Sequence, residues 1–300
     1  MTLYTHKESN IAKTWVYLTG FFILVTAVGW LISYAMGSAV ILWFAVILSV
    51  LMSFFSYWYS DKIVLGISRA KEIKKQDAPE LYRIVENLSI TAGLPMPRVY
   101  IVEEAQPNAF ATGRNPQKGV VAVTRGLLER LDRPELEGVL AHELGHIGNR
   151  DILLSTIVVV LVGVVVILTD FFFRIAFWGG MGGRGREAGQ VKAVMMLFAL
   201  ALAILAPIFA TLMKLAISRK RELLADASGA LLTRYPEGLA SALEKISQDP
   251  NPMRKASDAT AHLFIASPFR GREETSWLHK LFMTHPPMEE RVRALRGMRT

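Results

Sequence analysis

The chain has no cysteine among its 300 residues. This absence excludes disulfide bonds, thiol nucleophiles and cysteine-ligated metal sites. Charged residues are also few, at 20% of the chain, whereas hydrophobic residues make up 52% and the mean hydropathy is +0.31. Soluble globular proteins carry about 25% charged residues. The composition therefore argues against an ordinary soluble enzyme and favours a chain that meets a membrane.

Four apolar runs concentrate this hydrophobicity. Residues 15–34 and 40–59 contain no charged side chain, and each is close to the ~20 residues that cross a ~30 Å hydrocarbon core. They predict a transmembrane hairpin within residues 1–60. Residues 152–173 and 194–217 are similar, interrupted by Asp170, Pro207 and Lys214. They predict a second hydrophobic hairpin over residues 152–217, with a flexible glycine-rich connection at 179–185.

Basic residues beside the runs predict the orientation. Lys7 and Lys13 precede the first run and a basic segment, 62–75, follows the second, whereas the connection at 36–38 is uncharged. Both termini and two soluble segments, 61–151 and 218–300, are therefore expected in the cytoplasm. The second hairpin fits less well, because its connection carries excess basic residues. Full crossing is favoured there, and partial insertion stays open.

The net charge of +8 also raises the question of a nucleic-acid partner. Most basic residues flank the apolar runs, where attraction to anionic lipid headgroups is the simpler cause. The lipid bilayer is therefore the expected partner, and nucleic acid is not.

The most informative motif is His142-Glu143-Leu144-Gly145-His146, in a stretch that reads as a helix opening at 132–135. Residues four apart return to nearly the same side of a helix, so both imidazoles face one cation and Glu143 stands about 100° round the axis. This arrangement predicts a zinc hydrolase site. His142 and His146 are the expected metal ligands, and Glu143 is the expected general base.

A catalytic zinc ion usually takes a third protein ligand. Glu222 and Asp226 share one face of a second helical stretch, 219–226. We expect Glu222 to be the third ligand. Asp226 is placed one turn later to accept the second ring N–H of a ligand histidine, which fixes its tautomer.

A small sheet is predicted before this motif. Residues Leu81, Ile84, Val85 and Leu88 predict a helix over 81–92, and strands are expected at 99–102, 108–113 and 119–124. In metalloproteases a sheet edge can bind an extended peptide through its main chain. The expected substrate-binding residues lie in the middle strand: Asn108, Ala109, Phe110 and Ala111. A purely structural role for any of these strands stays open.

Four segments together resemble the HtpX heat-shock proteases, which are membrane zinc endopeptidases related to the CAAX prenyl endopeptidase and the mitochondrial Oma protease. The segments are 107–113, 123–128, 135–146 and a His-Pro element with a following arginine at 284–291. The resemblance covers nearly the whole chain. It implies a mainly α fold with a small β-sheet, an α+β catalytic domain of the zincin type formed by segments 61–151 and 218–300, plus multi-span transmembrane helices.

The resemblance also implies one Zn²⁺ per subunit on His142, His146 and Glu222. It further implies cleavage of unfolded or misassembled membrane proteins at the cytoplasmic side of a bacterial inner membrane, alongside other quality-control proteases. His285 and Arg291, in the His-Pro element, are the expected donors to the oxyanion formed during catalysis. His285 is alternatively a resting-state latch on the metal.

Two other functions stay open from the sequence. One is a non-catalytic membrane scaffold whose zinc ion only joins the two soluble segments, with His285 as the fourth ligand. The presence of Glu143 between the ligands argues against it, because a structural site needs no base. The other is a dedicated processing peptidase of the CAAX type.

Overall fold

Two long apolar helices form the N-terminal part of the protein. The computed structural model describes residues 3–158, 160–161, 196–197, 200–201, 219–250, 265 and 287–298. Helix α1 is Leu3–Met36 and helix α2 is Ala39–Ile67. Of the described helices, these two are long and apolar enough to cross a membrane, at Asn10–Trp30 and Ala39–Ile67. Most of the second predicted hairpin lies outside the described residues.

The two helices pack closely where small residues meet. A Cβ atom added to Gly29 of α1 would lie 2.2 Å from the Cβ atom of Ala45 on α2. Such small-residue contacts let two helices approach closely within a membrane. Helix α2 also continues beyond the predicted run through Asp61 and Lys62 to Ile67. Its last turns therefore leave the apolar layer and reach the soluble part of the protein.

A mixed sheet of four strands follows, in the order β1-β2-β4-β3. Its strands are β1 Lys71–Glu72, β2 Arg98–Val102, β3 Ala109–Thr112 and β4 Val120–Thr124. β2 runs parallel to β4, whereas β1 and β3 are antiparallel to their neighbours. The three predicted strands are confirmed, and the two-residue strand β1 was not predicted. Strand β3 is an edge of the sheet.

Each face of the sheet has a different neighbour, because side chains alternate along a strand. Phe110 and Tyr100 pack on Val64 and Leu65 at the end of α2. The opposite face, which includes Ala109, joins the larger core beneath the soluble helices. The sheet therefore lies between the membrane helix and the soluble helices.

The soluble helices are α3 Pro79–Thr91, α4 Arg125–Arg130, α5 Arg133–Gly148, α6 Arg219–Thr233, α7 Pro236–Gln248 and α8 Met288–Arg296. The predicted fold class, mainly helical with a small sheet, is confirmed. α3 buries the four predicted apolar residues: Leu81, Ile84, Val85 and Leu88. Helices α4, α7 and α8 were not predicted.

Helix α5 begins with a complete capping box. The Asp132 carboxylate accepts the backbone N–H of Glu135 at 3.1 Å, and the Glu135 carboxylate accepts the backbone N–H of Asp132 at 3.0 Å. Pro134 occupies the first turn, where its missing N–H costs nothing. Glu135 also accepts hydrogen bonds from Ser241 and Lys245 of α7 at 2.6 and 2.7 Å. The start of α5 is therefore fixed both locally and by tertiary contacts.

Helices α5 and α6 touch backbone to backbone at two glycines. A Cβ atom on Gly229 would lie 2.9 Å from the backbone nitrogen of His142, and one on Gly145 would lie 3.4 Å from Ser228 Cβ. Only a residue without a side chain permits the first approach. The crossing brings the N-terminal turns of α6 beside the histidines of α5.

We predict that Gly229→Ala destabilises the protein, although alanine favours helix formation. The added methyl group meets backbone atoms that cannot rotate away, and overpacking of this kind costs about 1–3 kcal/mol. The expected result is a lower midpoint of thermal unfolding in detergent. The matched control is Gly66→Ala on α2, where the new Cβ atom has nothing within 4 Å. Equal midpoints for both variants would contradict the close approach.

Candidate metal centre

Three side chains from α5 and α6 converge on one point. The ligand atoms of His142, His146 and Glu222 all lie within 4.8 Å of one another. The two Nε2 atoms are 3.2 Å apart, and the Glu222 oxygens lie 3.9 Å from His142 Nε2 and 3.6 Å from His146 Nε2. Ligands placed ~2.0–2.1 Å from a tetrahedral ion stand ~3.3–3.4 Å apart. The spacing therefore fits a tetrahedral divalent metal ion.

The other ring nitrogen of each histidine faces a carboxylate. His142 Nδ1 lies 2.9 Å from Asp226 Oδ1, and His146 Nδ1 lies 3.4 Å from Asp151 Oδ2. A carboxylate at Nδ1 holds the proton there and leaves the Nε2 lone pair available for a metal ion. The donor set therefore fits the metal in chemistry as well as in spacing, and Asp226 makes the contact that the sequence predicts.

Arg291 forms two hydrogen bonds with the Asp226 carboxylate. Its guanidinium is fully buried and binds the carboxylate through Nε at 2.9 Å and Nη2 at 2.6 Å. Burial alone would raise the pKa of Asp226, but the Arg291 charge and hydrogen bonds from His142 and Arg291 hold it at about 2. Asp226 therefore stays an anion. The Nη1 atom of Arg291 lies 3.9 Å from Glu222 Oε2 and has no hydrogen-bond partner within the described residues.

Glu143 lies beside the three candidate ligands and is not part of their cluster. Its side chain is buried, and this burial raises the pKa of its carboxyl group. The positive charges of His142 and His146 oppose the shift, and the negative charge of Glu222 adds to it. A raised pKa makes a carboxylate a stronger base, as a proton acceptor in catalysis requires.

Sequence reasoning missed Asp151. Helix α5 ends at Gly148, and Arg150 then adopts a left-handed conformation with φ 57°. This break turns Asp151, which is 3% exposed, back toward His146. The available signal was its position just after the motif, because each metal-binding histidine needs an acceptor for its second N–H.

Asn10 was missed too, because it lies far away in sequence at the start of the first candidate span. Its side-chain amide donates to Asp151 Oδ1 at 2.7 Å and to the Asn149 carbonyl oxygen at 3.3 Å. A membrane helix is therefore hydrogen-bonded to the carboxylate that orients His146. No local pattern around Asn10 indicates this contact.

The predicted substrate strand lies at the sheet edge. Asn108 accepts the Thr124 backbone N–H at 2.9 Å, so Asn108 and Phe110 direct their main-chain groups to β4. By alternation, Ala109 and Ala111 direct theirs outward. In this conformation the Ile265 backbone N–H donates to the Ala109 carbonyl oxygen at 3.2 Å. Outward-facing main-chain groups are thus present at two of the four predicted residues.

The remaining predicted site residue, His285, lies outside the described residues. The same is true of His262 and His279, for which no ligand role is predicted, whereas His6 is on α1.

We predict that metal binding releases about one proton at pH 7. Burial alone would lower the pKa of His146, but the hydrogen bond with Asp151 and the charges of Glu222, Asp151 and Glu143 raise it to about 9. A metal ion binds the neutral imidazole, so apparent affinity should rise about tenfold per pH unit up to pH ~9. Calorimetric titration of metal-depleted protein with Zn²⁺, in buffers of different ionisation enthalpy, measures the proton count.

Asp151→Asn provides the comparison for this measurement. It removes a carboxylate that raises the His146 pKa, so proton release should end at lower pH than in the wild type. The same pKa shift stabilises the metal-free fold below pH ~6.5, and that stability is lost as pH rises through about 9. A binding enthalpy that does not depend on the buffer at pH 7 would mean that no proton is released, and it would contradict the raised pKa of His146.

Comparisons with known proteins identify the family of this chain. The model of peptidase family M48 matches residues 75–299. A protease HtpX homolog of Syntrophobacter fumaroxidans is 53% identical over 257 residues, covering 85% of this chain and 88% of its own length. The homolog of Thermoanaerobacter pseudethanolicus is 44% identical over 302 residues, covering 99% of this chain and 98% of its own length.

A crystal structure of S. mikatae Ste24p aligns with a TM-score of 0.49 and 19% identity, covering 97% of this chain and 66% of that chain. The M48 and HtpX matches confirm the family predicted from the sequence motifs, and the family implies a bound metal ion. The chain belongs to peptidase family M48 and is a membrane-associated metalloprotease.

Proposed function

We propose that this metalloprotease is a zinc endopeptidase that hydrolyses misfolded or damaged membrane proteins at the cytoplasmic face of a bacterial inner membrane. This activity serves membrane protein quality control and the stress response. The observation that carries the proposal is the convergence of two Nε2 atoms and the Glu222 carboxylate beside the buried Glu143.

The donor set favours zinc as the metal. Two imidazoles and one carboxylate are typical ligands of a catalytic zinc ion, which leaves its fourth position for water or substrate. When bound, zinc supplies Lewis-acid activation of a water molecule and of the peptide carbonyl group. The ligands in this proposal are His142, His146 and Glu222.

Glu143 is the proposed general base. Its carboxylate takes the proton from the attacking water and later delivers it to the nitrogen of the leaving amine. Burial raises the pKa of this carboxyl group, which makes its carboxylate a stronger base for the first transfer.

Arg291 is proposed as a positioning residue more than as a donor to the oxyanion. Its Nε and Nη2 atoms are engaged by Asp226, which in turn holds His142. Only Nη1 is free of hydrogen bonds within the described residues. His285 is retained as the proposed oxyanion donor or latch.

The edge of β3 is the proposed substrate-binding element. An extended peptide pairs with the outward main-chain groups of Ala109 and Ala111, which alternate along the chain with Asn108, just before the strand, and Phe110. Main-chain pairing is indifferent to side-chain identity. It therefore suits an enzyme that cuts many unfolded chains.

The proposed location follows from contacts between the site and the membrane helices. Asn10, at the start of a candidate span, touches Asp151, which orients His146. This contact supports a metal centre near headgroup level, where unfolded segments of membrane proteins emerge. The basic residues beside the spans support the cytoplasmic side. Residues 61–151 and 218–300 form the proposed catalytic domain, and residues 152–217 the second hairpin.

The proposed partners follow from the same location. They are unfolded or misassembled membrane proteins as substrates, the lipid bilayer, and other membrane quality-control proteases. Nucleic acid is not among them.

We predict that Glu143→Gln abolishes cleavage while metal content stays at the wild-type level. The amide keeps the shape of the side chain but cannot accept the proton, and loss of a general base costs roughly 10²–10⁴-fold in rate. The measurement pairs cleavage of an unfolded membrane protein with zinc quantification in detergent-purified protein.

The matched control is Glu137→Gln, which changes the same functional group on the same helix at a carboxylate that pairs with Arg133. It should cut like the wild type. Cleavage at the wild-type rate by Glu143→Gln would contradict the role of Glu143 as general base. Equal cleavage of the folded and the unfolded substrate by the wild type would remove the quality-control assignment.

A further inference from the structure

A basic cavity lies on the other side of the sheet from the metal centre, where α2 leaves the apolar layer. It has a volume of about 350 Å³ and is lined by residues from the end of α2, the start of β2 and the turn between β3 and β4. Its charged lining residues are Lys62, Arg98, Arg114, Lys118 and Asp61. Cations therefore outnumber carboxylates.

Only one of these cations is neutralised by the carboxylate within the cavity. Asp61 pairs with Arg98 Nη2 at 3.1 Å. In the described part of the chain, Lys62, Arg114 and Lys118 form no ion pair with a carboxylate. Three cationic side chains without a carboxylate partner thus line a pocket that is large enough for a phosphate diester group, although the Lys62 ammonium also lies 5.2 Å from the centroid of the Tyr59 ring. An anion is the ligand that balances their charge.

An aromatic side chain places the cavity at the membrane surface. The Arg114 guanidinium stacks over the Trp58 ring at 4.2 Å from its centroid. Trp58 is 49% exposed, and tryptophan is enriched at the boundary between hydrocarbon and headgroups. From Ala39 to Trp58 the helix rises ~28 Å at ~1.5 Å per residue, close to the ~30 Å hydrocarbon thickness. With Ala39 at one boundary of the hydrocarbon layer, Trp58 lies at the opposite boundary.

We propose that this cavity binds the phosphate headgroup of an anionic phospholipid. The acyl chains lie along the exposed apolar surface of α2, which includes Phe54 and Phe55, and the phosphate lies between Arg114, Lys118 and Lys62. Basic pockets at headgroup level hold anionic lipids in this way. The site is separate from the metal centre and does not depend on the proposed protease mechanism.

The test is native mass spectrometry of the full-length protein released from neutral detergent, titrated with phosphatidylglycerol or phosphatidylcholine. The wild type should retain phosphatidylglycerol and not phosphatidylcholine. Arg114→Gln with Lys118→Gln should weaken retention about tenfold or more, because each basic residue contributes to headgroup attraction. The matched control, Arg83→Gln with Arg293→Gln, removes two exposed arginines elsewhere and should bind like the wild type.

A gain-of-charge variant keeps the test decisive if the double variant unfolds. Gln117 lines the same cavity, so Gln117→Lys should increase phosphatidylglycerol retention. Thermal unfolding in neutral detergent reports the integrity of each variant.

Three results would overturn the proposal. The first is equal phosphatidylglycerol retention by the wild type, the double variant and Gln117→Lys. The second is displacement of the lipid by inorganic phosphate or glycerol phosphate at the concentration of the lipid itself, which would indicate a small-phosphate site. The third is binding of an acidic peptide in place of phosphatidylglycerol, which would indicate a protein partner.

Discussion

The metal centre depends on the pairing of two buried charges, the Arg291 guanidinium and the Asp226 carboxylate. Taking either charge out of water alone is costly, and removing one partner leaves the other uncompensated. Paired, they keep Asp226 an anion, whose Oδ1 atom lies 2.9 Å from His142 Nδ1 and so leaves Nε2 for the metal. Asp226 lies on α6, Arg291 on α8 and His142 on α5, so the contacts of the Arg291–Asp226 pair also connect three helices. Protonation, ring orientation and helix packing thus follow from one interaction.

The second histidine is held in a different way, and this difference connects the site to the membrane. Asp151 orients His146, and Asn10 of α1 donates to Asp151. At the other side of the sheet, Val64 and Leu65 of α2 pack on Phe110 of the edge strand. The two N-terminal helices therefore support one proposed metal ligand and the proposed substrate strand. The soluble part of the protein is built onto the membrane helices and is not simply tethered to them.

The sequence predicted the parts of this structure whose signals are local. The four-residue spacing of His142 and His146 needs only helix geometry, and three strands and α3 follow from apolar periodicity. Asp226 was found because it lies one turn after Glu222. Asp151 and Asn10 were not found, because their roles depend on the break at Arg150 and on a contact spanning 141 residues. The role of Gly229 was not predicted either, because the need for glycine there comes from the backbone of α5, which is distant in sequence.

X-ray absorption at the zinc edge is the most direct way to find out whether His142, His146 and Glu222 form one metal site. We expect one zinc ion per purified chain, with scattering from two imidazoles and further oxygen ligands at ~2.0–2.1 Å. We also expect no thiolate scattering, because the chain has no cysteine. His146→Ala should remove one imidazole contribution or the metal itself. Zinc without imidazole scattering in the wild type, or an unchanged spectrum in His146→Ala, would contradict this assignment.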